Sequence, residues 1–161
     1  MTSKICQIAT RIRSELLELE DVLHRIKEGW NRANRSGDMY YLDGVALNLH
    51  SLYSGMERLF ELIAVNVDGT IPEGEYWHQG LLNQMAGDVP QVRPSVISES
   101  SRLKLNEYRG FRHVVRNVYT INFDPLKIGK LVNNAPELFN VVRSELLAFA
   151  DFLEQSGLSE Q

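Results

Sequence analysis

The sequence predicts an all-α fold, an up-and-down bundle of four to five helices in one domain spanning residues 1–161. Three observations carry this expectation. Apolar residues recur at threes and fours over most of the chain, and no segment alternates in the manner of a strand. Glycine and proline fall in short connectors between the periodic segments. Hydrophobic residues make up 43% of the 161 and charged residues 24%, the balance of a globular protein large enough to bury a core.

From Lys4 to Asn34, Ile5, Ile8, Ile12, Leu16, Leu19, Leu23, Ile26 and Trp30 form one long amphipathic seam. Ser3 is its N-cap and Ser36–Gly37 its end. Glu15, Glu18, Glu20 and Asp21, between the seam residues, read as a solvated face rather than a metal site. His24 has no second histidine at helical spacing. Asp38 caps a second helix, running to about Val67 and carrying Leu42, Val45, Leu49, Leu52, Met56, Leu59, Phe60 and Ile63. Gly44 and Gly55 inside it each cost roughly 1 kcal/mol against alanine, so they mark a close helix–helix approach or a bend. His50 stands alone in this helix and reads as structural.

Residues Val67 to Glu75 form a loop punctuated by Asp68–Gly69 and Pro72. A third helix follows from Glu75 to about Met85, with Trp77 as core and His78 as its polar edge or, alternatively, a group near a functional cleft. Gln91 to Ser95 is a connector, and the fourth helix spans Ser95 to about Tyr119, with Ser98 and Ser100 as alternative starts. Its expected buried positions are Leu103, Leu105, Tyr108, Phe111, Val115 and Val118. Asp124–Pro125, an N-cap followed by proline at the first helical position, opens a short helix to about Val132. Ala135–Pro136 opens a separate last helix with Leu138, Val141, Val142, Leu146, Phe149 and Phe152, ending near Glu154; residues 155–161 are expected to fray.

Cys6 is the one cysteine, which excludes a disulfide framework and a thiolate metal cluster and fits a reducing cytoplasm. The N-terminal run carries charges throughout, unlike a signal peptide, and no apolar run is long enough to span a bilayer. Phosphate-binding GxxxxGKS/T and GxGxxG loops are missing, as are HExxH, GxSxG and any Cys/His spacing suited to zinc. No cofactor and no metal are therefore expected. Chemistry has to come from polar side chains on helices.

The best-equipped stretch is Asn106 to Pro125, NEYRGFRHVVRNVYTINFDP. At about 100° per residue, Arg109, Arg112, His113, Arg116, Asn117 and Tyr119 share one half of a helix. Phe111, Val114, Val115 and Val118 occupy the other. The protein has a formal net charge of −4, so three arginines within eight residues reverse the sign locally. No carboxylate lies between Glu107 and Asp124 to neutralise them. Arrayed guanidiniums bind phosphate in bidentate fashion, tyrosine and histidine add hydrogen bonding, and Gly110 lets a phosphate or a second backbone come close. A merely solvated basic face is the competing reading.

The run FRHVVRNVYTINFDP resembles the signature of the HEPN superfamily, most closely the HepT-like ribonuclease toxins. In that pattern an arginine is followed, after four residues, by histidine, any residue and tyrosine. Arg112 and Tyr119 match; Asn117 stands at the histidine position. The resemblance implies a metal-independent endoribonuclease acting on RNA as a homodimer, with two motif helices facing a shared cleft. It places Arg112, Asn117 and Tyr119 at the catalytic positions, with Arg109, His113 and Arg116 available to bind phosphate. It also implies an antitoxin of the minimal nucleotidyltransferase type, which would transfer AMP to Tyr119.

An amide does not exchange a proton at neutral pH, so Asn117 cannot do a histidine's work. Three accounts stand side by side: an introduced histidine-to-asparagine change, a natural loss of catalysis with binding retained, and transfer of the proton role to His113. A helical binding module without chemistry, engaging RNA or the transferase, is the alternative function.

Overall fold

A computed structural model describes residues 3–159 and contains helices α1 (Lys4–Ser36), α2 (Tyr40–Ile63), α3 (Trp77–Ala86), α4 (Glu99–Asn117) and α5 (Pro125–Ser159). Among the described residues no strand forms, and only an isolated bridge joins Val89 to Arg93. The all-α bundle expected from the periodicity is the observed architecture.

Each boundary of α1 has a local cause. The Ser3 hydroxyl accepts from the Cys6 N–H at 3.1 Å, and Gly37, at φ 69°, donates its N–H to the Ala33 carbonyl. The seam from Ile8 to Ile26 is buried along α2 and α5. Gly29 faces Val45 while Gly55 faces Leu19, so α1 and α2 run antiparallel. A Cβ at Gly55 would lie 2.4 Å from Leu19 Cδ2, which makes this glycine a point of close approach; at Gly44 the space is open. α5 also runs antiparallel to α1. Trp30 sits on Gly129 near one end of their contact, and Arg13 pairs with Asp151 and Glu154 towards the other.

α2 continues past Ile63 as a wider π-turn over Ala64–Asp68, ending at Gly69 with φ 78°. Arg93 fastens the connector after α3. Its guanidinium donates to both Asp68 oxygens, at 2.6 and 2.8 Å, and to the carbonyls of Gly87, Pro94 and Gln84. Ser98 caps α4 by accepting from the Ser101 N–H, and Glu145 of α5 accepts from the Ser98 N–H at 2.5 Å. Further along, the Tyr108 hydroxyl donates to the Leu131 carbonyl at 2.6 Å. α4 is therefore pinned to α5 at two heights, which fixes the rotation of its outer face.

The C-terminal third departs from expectation. Instead of two helices, α5 is continuous with Pro136 inside it. Proline in a helix interior costs about 3 kcal/mol through the lost hydrogen bond and a clash. Here Ile128, Leu131, Val132 and Ala135 before it, and Leu138, Phe139, Val142 and Leu146 after it, are all buried in one core. Each large one of these contributes about 1.5–3 kcal/mol, so keeping the two stripes in register outweighs the proline. Residues 155–159 are helical rather than frayed, because Gly157 packs against Ser3 and Cys6 at the start of α1; Glu160 and Gln161 lie outside the described residues. Leu103 and Val141, both expected in the core, are exposed, and Val115 and Val118 are half-buried.

Candidate functional site

α4 buries Leu105, Tyr108 and Phe111 and leans Val114 and Val115 against the core. Pinning that side to α5 turns Arg109, Arg112, His113, Arg116 and Asn117 outwards, as the helical projection requires. Arg109 donates from Nε to Asn106 Oδ1 at 2.7 Å, and Arg112 Nη1 lies 3.3 Å from His78 Nε2. Arg116 has no hydrogen bond or ion pair among the described residues, and none of the three arginines has a carboxylate within ion-pair reach. Apart from its own turns of helix, nothing lies within 4 Å of a Cβ built on Gly110, so the surface beside the arginines is open.

The Asn117 amide nitrogen turns back on its own helix. It donates to the His113 carbonyl at 2.8 Å and lies 3.1 Å from His113 Nδ1. With an amide N–H directed at Nδ1, a neutral His113 carries its proton on Nε2.

Tyr119 is not in line with Arg112. α4 stops at Asn117, and Val118 and Tyr119 are extended, at φ −118°, ψ 136° and φ −64°, ψ 144°. The chain leaves the helix axis, forms a short 3₁₀ turn over Thr120–Asn122 and buries Phe123 with its ring 6.4 Å from that of Phe111. That turn delivers Asp124, whose Oδ1 accepts from the Leu126 N–H at the start of α5. Tyr119 is left 81% exposed at the edge of the basic face.

Behind Arg112 is a polar cluster of which the sequence pattern gave only His78 as an alternative reading. Glu57, within the apolar face of α2, is buried, and its two oxygens lie 3.0 and 2.9 Å from His78 Nδ1. The His78 ring stacks on Trp77, with centroids 3.6 Å apart. Along the same stretch of α2, His50 Nε2, the Tyr53 hydroxyl and Ser54 Oγ are buried without a hydrogen-bond partner among the described residues. Burial and then the Glu57 charge raise the Tyr53 pKa. Burial, followed by the charges of Arg112 and Arg116, holds His50 below its ordinary value. Burial and then Glu57 raise Glu61. The sequence signal for this cluster was Glu57 itself, a carboxylate at helical spacing from Tyr53 and Phe60 inside a hydrophobic stripe.

Among the described residues no group of three or more His, Cys, Asp and Glu is placed to hold a metal ion, and no helix is long and apolar enough to cross a membrane. The fold defines the class as an all-α helical bundle. The chain belongs to the HepT-like family, described as "HepT-like protein", whose family model matches residues 44–153 and so takes in the whole Arg112–Tyr119 run. It is a family of HEPN-type toxins from toxin–antitoxin systems. No curated protein and no solved structure matches the chain.

Proposed function

We propose that this HepT-like protein is built as a metal-independent endoribonuclease whose α4 face receives the RNA phosphodiester. The observation that carries the reading is the set Arg109, Arg112 and Arg116, turned outwards in an acidic protein and left without a carboxylate partner. Arg112, with Arg116 one turn on, stabilises charge on the phosphoryl oxygens. The ribose 2′-oxygen loses its proton and attacks the adjacent phosphorus. The 5′-oxygen leaves and gains a proton, and the other fragment keeps a 2′,3′-cyclic phosphate. Asn117 can hold a hydrogen bond at this point but cannot shuttle the proton, so turnover is slow.

Restoring a proton-transfer group tests this. Asn117→His is expected to raise cleavage of single-stranded RNA about 100-fold or more. Equal cleavage by the two proteins would remove the essential role from position 117. Two inert proteins that still bind RNA would favour the binding module, the reading that the Asn117 amide itself supports.

The proposed active form is a homodimer with two α4 faces across one cleft, and a monomer mass in sedimentation would contradict it. The proposed antitoxin partner is a minimal nucleotidyltransferase that adds AMP to Tyr119. Its support is the exposure of Tyr119, whereas Tyr108 is buried and hydrogen-bonded to α5. Peptide mass analysis after incubation with transferase and ATP distinguishes the two tyrosines.

A further inference from the structure

We propose that His78, held by Glu57, is a positioning residue that aims Arg112 at phosphate without cancelling its charge. The proposal rests on the phosphate-binding reading of α4 and adds two residues from two other helices to it. Glu57 comes from α2, His78 from α3 and Arg112 from α4.

The polarity of the chain follows from its first member. Both Glu57 oxygens converge on Nδ1, so that nitrogen carries the proton and donates. A neutral imidazole then has its lone pair on Nε2, and this nitrogen faces Arg112 Nη1 at 3.3 Å. Trp77 lies against the ring and fixes its plane. The guanidinium is thus oriented by one bond to a neutral acceptor, and its remaining N–H groups make no other hydrogen bond among the described residues.

A direct Glu57–Arg112 ion pair would hold the arginine equally well but would neutralise it. The inserted imidazole keeps the two charges apart, so the guanidinium has no carboxylate in contact with it. The remaining charged and titratable neighbours on α2 are His50, Tyr53, Arg58 and Glu61, and on α4 Arg109 and Arg116. Neither Glu61 nor any other carboxylate forms an ion pair with Arg112.

The test is binding of a short single-stranded oligoribonucleotide, read together with imidazole ¹⁵N spectra of the full chain. His78→Leu is expected to weaken binding about 10-fold in the natural background and to add nothing in an Arg112→Ala background, because the two residues act as one unit. His78→Gln, whose amide oxygen can accept from Arg112, is expected to stay within about threefold. A purely structural His78 would instead weaken binding equally in both backgrounds, and that result overturns the proposal. If Arg112→Ala itself leaves binding unchanged, the phosphate-binding reading fails, and the spectra still decide the positioning. They support it with Nδ1 protonated and Nε2 bare in the natural protein, and overturn it with the reverse.

Discussion

Arg93 and Arg112 each lie near a buried acid, yet they are wired in opposite ways. Arg93 and its partner Asp68 have side chains 0% and 2% exposed, and all five guanidinium donors of Arg93 are used. Arg112 is half-buried, touches one neutral ring nitrogen and meets no carboxylate. A saturated arginine ties chain segments together and has nothing left for a ligand. An arginine held by a single neutral acceptor is ordered and still charged. The difference lies in the partners each arginine meets.

The largest effect expected from this contrast is on stability at the saturated site. Arg93→Met leaves the buried Asp68 without an ion-pair partner, holding only the hydrogen bond from Gln84 Nε2, and should lower unfolding free energy by about 3–5 kcal/mol in denaturant titration. Arg112→Ala should lose less than about 1 kcal/mol in the same assay, since it breaks no buried ion pair. Similar losses at the two sites would erase the distinction.

A finer test uses pH. The His50 pKa is held below its ordinary value of 6.5, by burial first and then by Arg112 and Arg116. A folded-state pKa below the unfolded one means that the unfolded chain takes up the proton first. His50 therefore costs nothing above about pH 6.5 and subtracts stability as pH falls through that value towards the folded one. Arg112→Ala removes one of the causes, so the stability lost between about pH 7.5 and 5.5 should shrink relative to the natural protein. An unchanged loss would mean that the α4 charges do not reach His50.

The smallest effect belongs to a third kind of arginine. Arg13 pairs with Asp151 at 2.6 Å and with Glu154 at the edge of the α1–α5 contact, where these side chains are 33%, 70% and 42% exposed. Exposed pairs gain little over hydration, so Arg13→Ala should cost only about 0.2–1 kcal/mol and lessen further in salt. A loss as large as that of Arg93→Met would show that saturation of donors is the wrong measure.

The sequence carried the α1 seam, its Ser3 and Gly37 ends, the Asp124–Pro125 start and the basic half of α4, because each is a local pattern of spacing or capping. It misjudged Pro136, where a tertiary core overrides a local breaker, and the register of Tyr119, where burial of Phe123 ends the helix early. Glu57 and Arg93 escaped because their meaning depends on partners 21 and 25 residues away. Glu57 stands among the apolar positions of α2, but nothing local said that it would be buried or that His78 would answer it.

The central claim, that the α4 arginines form an unneutralised phosphate-binding face, is tested most directly by RNA affinity as a function of salt. For single strands the slope of log affinity against log salt is about −0.7 per neutralised phosphate. Arg112→Ala is expected to weaken binding by about 1.5–3 kcal/mol and to flatten that slope by about 0.7, while Arg13→Ala changes neither. An Arg112→Ala protein with the natural affinity and the natural salt slope would contradict the account.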